Sequence, residues 1–259
     1  MVELLWVKMP SFWITNGSMA TDFSSSRHVS TDIAALKVYI YLCLYAAPVK
    51  RASKLAYLAL LPKKARTMDV VTQAECRLTY DDIAEGGFLS RKLISAGLKK
   101  LIEKGMILKE GTTRKPRYII QGSLDFGWAK LPKRGLIKVN HEVAAFESMK
   151  NRYKYERDAL KLFLYLLSIR ANTFSYVDVS RGTISSSTGV ELFEIDSALG
   201  YLQGIGLLEE VKDKGTVLNS NHFEEKSRLH RYYVVNSSGL IQPKSKSRNP
   251  AIGVKNKDE

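Results

Sequence analysis

The chemistry legible in this chain is carried by basic side chains. From Phe88 to Arg117, nine Lys and Arg face only Glu103 and Glu110, a net charge of +7 in thirty residues. Ser90, Arg91, Lys92 and Ser95 fall where a helix would begin. A Ser there accepts an orphan backbone N–H, and cationic groups just behind it can donate to base edges in a major groove. Thr79, Lys99, Lys100, Thr112, Thr113, Arg114, Lys115 and Arg117 are placed for phosphates, which set affinity more than sequence preference. The alternative is a solvated basic face used only for protein contacts. The formal charge of +14 over 259 residues favours a polyanionic partner.

Catalytic patterns are missing. His28, His141, His222 and His230 have no metal-ligand spacing. There is no phosphate-cradling glycine loop and no nucleophile elbow. His230-Arg231-Tyr232 lacks the spacing of a tyrosine recombinase cluster. A non-enzyme without cofactor or metal is expected. Cys43 and Cys76 are too few for a disulfide framework and fit a reducing cytoplasm. The N-terminus lacks the continuous apolar core of a signal peptide. The apolar run Ile33–Val49, broken by Lys37, is too short to span a bilayer and reads as a buried helix, so no membrane partner is expected.

Leu78–Ile120 must position the basic groups. Thr79 with Asp82 forms a capping box ahead of a short helix, Tyr80–Glu85, with Ile83 and Ala84 inward. Gly86 and Gly87 should stop it. After Ser90, the residues Ile94, Leu98, Leu101 and Ile102 repeat at helical period, and Gly105 ends that helix. Met106–Lys109 and Arg117–Ile120 read as strands around a basic tip, Gly111–Pro116.

Three segments recur in order. Trp6-Val7-Lys8-Met9-Pro10 returns as Trp128-Ala129-Lys130-Leu131-Pro132, and Ala35–Leu42 returns as Ala159–Leu166. Leu101–Ile107 returns as Leu202–Leu208, with the offset falling from 124 to 101. The chain therefore reads as two copies of one unit, the first carrying an insertion over 48–77. That insertion is read either as a surface loop with a short helix or as a second phosphate-contacting surface.

Copy one, 1–125, opens with an arm, Leu4–Ile14, then a polar loop, Thr15–Ser30. Ser30 or Thr31 should cap a helix from Asp32 to Tyr45. Copy two, 126–236, should have a strand at Gly135–Val139, a helix capped by Asn140, and a long helix, Asp158–Arg170. Before that helix, Lys150, Arg152, Lys154 and Arg157 alternate with tyrosines, either along a DNA backbone or as a solvated helix entry. Ile184, Val190, Ile195, Leu199, Leu202 and Leu207 match the first core. Over 181–211, however, Glu191, Glu194, Asp196, Glu209 and Glu210 stand against Arg181 alone, a net −4. Phosphate would repel such a face within about 8–10 Å, so copy two is expected to assemble or bridge. Backbone contacts remain open to its long wing through Arg228, His230 and Arg231. Residues 237–259 are polar and basic and should be disordered.

The run Leu89–Leu101 resembles the capped recognition helix of bacterial winged helix-turn-helix transcription regulators. The whole-chain pattern is similar to plasmid and phage replication initiators with two winged-helix domains. The resemblance implies an α+β, mainly helical fold of two tandem winged helix-turn-helix domains. It implies a cytoplasmic, bacterial protein that reads double-stranded DNA as a homodimer or higher assembly. The function expected is transcription regulation. Replication initiation at origin repeats is the alternative, and a protein–protein adaptor meeting replication or transcription proteins is the third.

Overall fold

The computed structural model describes residues 4–52, 61–112, 115–218 and 226–241, and the fold is α+β. Strand β1 (Val7–Pro10) leads through two short helices, α1 (Phe12–Thr15) and α2 (Ser18–Asp22), into α3 (Val29–Tyr45). Then come β2 (Ala47–Ala52), α4 (Lys63–Arg66), β3 (Val70–Cys76), α5 (Tyr80–Gly87) and α6 (Arg91–Glu103). A hairpin follows, β4 (Ile107–Thr112) and β5 (Lys115–Ile120), then β6 (Trp128–Leu131), α7 (Lys133–Leu136), α8 (Ala144–Glu147) and α9 (Lys154–Ile169). The remainder is β7 (Val177–Ser180), α10 (Arg181–Thr188), a 3-10 turn at Leu192–Glu194, α11 (Ile195–Gly204), β8 (Leu208–Leu218), β9 (Lys226–Val234) and a closing turn, Ser237–Leu240.

Helix α3 is apolar almost all round, which is stable only when both sides are covered. It packs against α6 on one side and α9 on the other. At the α3–α6 crossing the backbones nearly touch. A Cβ on Gly97 would lie 2.9 Å from the backbone of Ala34 and Ala35, so only glycine lets the helices approach this closely.

The Trp-x-Lys-x-Pro arms pair with each other. β1 and β6 form a two-stranded antiparallel sheet, Val7 opposite Leu131 and Pro10 opposite Trp128. Trp6 stacks on Trp128, while Lys8 lies over the Trp128 ring and Lys130 over the Trp6 ring. The segments after the arms are exchanged as well. α2 backs onto α10, where Gly189 at φ +66 would put a Cβ 3.1 Å from the Ala20 carbonyl oxygen. The Val143 N–H, just before α8, donates to the Gly86 carbonyl at the end of α5 at 3.0 Å. One buried apolar cluster runs from Met9 to Leu240. The stretches 1–125 and 126–236 are thus contiguous along the chain but share a core.

A chain of ion pairs crosses that core. Lys100 on α6 pairs with fully buried Asp32 on α3, and Asp32 lies 3.7 Å from Arg157 on α9. Arg157 meets Asp158 at 3.0 Å; Lys154 lies 3.9 Å from Asp158 and pairs with Glu194 ahead of α11. Signs alternate throughout, the condition for charges to survive burial.

Several elements differ from expectation. The polar stretch Thr15–Ser30 contains α2, and α3 starts at Val29 after His28 with no side-chain cap. The insertion over 48–77 is mostly sheet: β2 and β3 extend the hairpin into a four-stranded antiparallel sheet of order β2-β3-β5-β4, and residues 53–60 lie outside the described residues. Gly135–Val139 holds no strand, only a single bridge from Ile137 to Val143, and Val143, not Asn140, precedes α8. α9 starts four residues early because buried Glu156 folds back. Its carboxylate accepts the N–H groups of Asn151, Arg152 and Tyr153 at 2.9–3.2 Å, satisfying donors that a helix start leaves orphaned. In the tail, Ser237–Leu240 is ordered, with Leu240 buried and its carbonyl accepting from Lys130 at 2.8 Å. Residues 242–259 lie outside the described residues.

Candidate nucleic-acid interface

The Thr79–Asp82 capping box forms: Thr79 Oγ1 accepts from the Asp82 N–H at 3.2 Å, and the Asp82 carboxylate accepts from the Thr79 N–H at 2.6 Å. The two glycines do not stop α5. It runs through Gly87, and Phe88 makes the turn at φ +49. Gly86 has a packing role, since a Cβ there would sit 2.1 Å from the Tyr41 hydroxyl. Ser90 caps α6, accepting from the Leu93 N–H at 3.3 Å. Ile94, Leu98 and Leu101 are buried, but Ile102 is exposed. Gly105 follows the helix at φ +65, a conformation open to glycine.

The outward face of α6 begins with Ser90, Arg91, Lys92 and Ser95, all exposed. Arg91 pairs with Asp81 on α5, yet keeps 68% of its side chain in solvent. Lys99 is exposed, 3.8 Å from Glu103. Lys100 must be removed from the phosphate-contacting set. Its ammonium is spent on Asp32, a buried carboxylate whose other cationic neighbour, Arg157, lies 3.7 Å away. Arg157 is likewise buried and its guanidinium also donates to the Ser25 carbonyl at 2.8 Å, so it does not lie on a helix entry.

On the hairpin, Thr112 and Lys115 face solvent, with Thr112 Oγ1 accepting from the Lys115 N–H at 3.2 Å. Thr113 and Arg114 lie outside the described residues. Arg117 is already partnered: it pairs with Glu110 and sits 3.8 Å from Glu75, and the Glu110 hydrogen bond raises its pKa further. Arg51 joins the group, 2.6 Å from Glu75 and 3.8 Å from Glu110. Two cations and two carboxylates cancel across the sheet.

Arg77 was not among the sequence candidates. It is exposed and, with Thr79, Lys115 and Arg117, lines a cleft of about 400 Å³ between the start of α5 and the hairpin. The available signal was its place two residues before the Thr79 cap. The cleft offers two cations, Arg77 and Lys115, to an anion the size of a phosphate, while the Thr79 hydroxyl donates to the Asp82 carboxylate at 2.8 Å.

The elements from β7 to β9 present different outward groups. Ser180 caps α10, and Ile184, Val190, Ile195, Leu199, Leu202 and Leu207 are all buried. Four of the five carboxylates over 181–211 are partnered, and Glu191 stands exposed. Glu194 pairs with Lys154, Asp196 with Arg181 at 2.6 Å and Glu210 with Lys212 at 2.9 Å, while Glu209 accepts from the Asn236 N–H at 2.7 Å. At 101 residues beyond Arg91 and Lys92 stand Leu192 and Phe193, both exposed.

Of the wing candidates, only Arg228 remains open, and it pairs with Asp213, holding that carboxyl down at about 2. His230 is buried, and burial lowers its pKa. Arg231 is bound through two hydrogen bonds of 2.7 Å to Asp178 and stacks on Tyr176 at 3.5 Å. Both are structural, because strand alternation turns them into the sheet and the aromatic face beside it.

Among the described residues, no cluster of three His, Cys, Asp or Glu is placed to hold a metal, and no helix is long and apolar enough to cross a membrane. No protein-family model and no curated protein matches the chain.

Proposed function

We propose that the chain is a sequence-specific double-stranded DNA-binding protein that acts as a transcription regulator and is built from two winged helix-turn-helix units. One observation carries the reading. α6 is a Ser-capped helix whose first two turns present Arg91, Lys92 and Ser95 to solvent, beside a hairpin and a cationic cleft. A major groove takes a helix by its N-terminal residues, with flanking cations on phosphates. Ser90, Arg91, Lys92 and Ser95 then face bases, while Arg77, Lys99 and Lys115 face the backbone.

Support for a shared plan comes from one offset. Caps Thr79 and Ser180, buried Ile94 and Ile195, and turn glycines Gly105 and Gly206 are each 101 residues apart. The outward residues of the two units differ, which favours a second reading. A chain holding two unlike heads in one core suits an asymmetric, direct-repeat site, as a replication initiator would bind.

Footprinting of the purified chain on fragments of its native genome divides these. An inverted repeat at a promoter supports the regulator, and clustered direct repeats support the initiator. Protection of no site refutes both. The cleft has its own test. Arg77→Ala with Lys115→Ala should weaken binding to all sequences alike and flatten the salt slope by roughly 2. An unchanged slope takes the cleft out of the interface.

A further inference from the structure

The basic, tyrosine-bearing stretch ahead of α9 has no part in the interface proposed for α6. Its cations fall into two groups. Arg157 is buried against Asp32 and Asp158, and Lys154 is held by Glu194. Lys150 and Arg152 are exposed, and neither forms an ion pair with a carboxylate among the described residues. Arg152 instead donates to the Tyr153 hydroxyl, with its guanidinium 4.7 Å over the Tyr153 ring.

The backbone carrying these two cations is braced. The Glu156 carboxylate accepts the N–H groups of Lys150, Asn151, Arg152 and Tyr153. Tyr153 and Tyr155 stack at 5.2 Å and 10°, and Tyr155 meets Tyr201 of α11 edge-on at 4.9 Å. The Tyr201 hydroxyl donates to Glu156 at 3.3 Å. A charged surface fixed in this way loses little conformational entropy when it meets a ligand.

The stretch also lies between two helix starts. Asn151 Nδ2 donates at 3.4 Å to the carbonyl of Phe88, two residues ahead of the Ser90 cap of α6, and Asn151 Oδ1 accepts from Lys37 at 2.8 Å. On its other side Lys154 pairs with Glu194, directly ahead of α11. A polyanion laid on the first turn of α6 therefore runs alongside Lys150 and Arg152. We infer, resting on the DNA-reading role proposed for α6, that Lys150 and Arg152 form a ridge that grips the phosphate backbone of the same duplex on the side toward α11. Each tyrosine ring already has a stacked or edge-on neighbour, so the ridge suits phosphates more than unpaired bases. Such contacts set the orientation and register of the chain on DNA and carry no base preference of their own.

Salt titration of the full chain on a mixed-sequence duplex tests this. Lys150→Ala with Arg152→Ala should lower the slope of log affinity against log salt by roughly 2. Lys150→Cys carrying a DNA-cleaving chelate should cut the duplex inside the parental footprint, against a background in which native Cys43 and Cys76 are buried. A slope equal to the parent's, or no cutting, overturns the ridge and leaves the role of α6 standing. Arg91→Ala with Lys92→Ala that footprints like the parent, while the Lys150 and Arg152 variant loses slope, overturns the role of α6 and leaves the ridge standing. A parent that binds no duplex overturns both. Preference for a single strand over the duplex, lost in the Lys150 and Arg152 variant, overturns the duplex assignment in favour of an unpaired strand.

Discussion

On the DNA-reading role proposed for α6, Asp81 competes with DNA for Arg91, and removing it should tighten binding. The pair joins the first turns of α5 and α6, with 68 and 75% of the two side chains in solvent. An exposed pair of this kind is worth about 0–1 kcal/mol. Neither substitution should therefore move the unfolding midpoint much. A bidentate base contact is worth about 1–3 kcal/mol, and part of that is spent breaking the Asp81 pair. Asp81→Asn should return up to about 1 kcal/mol, or roughly fivefold tighter binding. Arg91→Ala should cost about 1–3 kcal/mol on the matched site and little on unmatched DNA. In the Asp81→Asn background the same Arg91→Ala change should cost more, and the excess is the competition energy. Titration of parent, two single variants and the double variant on matched and scrambled duplexes reads all four corners. The reasoning fails if Asp81→Asn leaves affinity unchanged. It fails equally if Arg91→Ala combined with Lys92→Ala footprints like the parent.

Two further expectations concern the scaffold. Gly97→Val should destabilise the chain by about 3 kcal/mol or more, because added carbons would be driven into the α3 backbone at Ala34 and Ala35; urea unfolding at the parental midpoint would disprove the close crossing. Lys37 is buried, donating to Asn151 Oδ1 at 2.8 Å, and desolvation lowers its pKa to about 7 although Glu156 opposes the shift. The unfolded chain keeps that proton to about 10.5. Between pH 7 and 10.5 the unfolded state therefore binds more protons, and the Lys37 contribution makes stability rise with pH. From pH 7 to 8.5 the parent should gain about 1–2 kcal/mol over Lys37→Met in paired urea titrations. A pH-independent difference between the two would refute a neutral Lys37.

Local signals in the sequence located the helices around the basic face of α6 because their causes are local. A capping box at Thr79–Asp82, a Ser at position 90, a period of Ile94, Leu98 and Leu101, and a Gly at 105 each act within one or two turns. The β2–β3 pair was missed because Ala47–Ala52 and Val70–Cys76 are joined by partners distant in sequence, without a tight-turn signal between them. The early start of α9 was missed because the cap comes from Glu156 reaching backward, not from a residue at the boundary.

By itself the sequence determined the composition of the outward face: a basic first turn on α6, and an unlike, carboxylate-rich counterpart 101 residues on. Which charges remain free was decided only in three dimensions. Lys100 and Arg157 look like surface cations on a helix, yet packing of α3 between α6 and α9 buries Asp32 and draws both inward. Arg117 and Arg231 are likewise taken up by carboxylates on neighbouring strands. Residue type fixes a charge, but its availability depends on which partners the fold brings within a few ångströms, and those partners come from far along the chain.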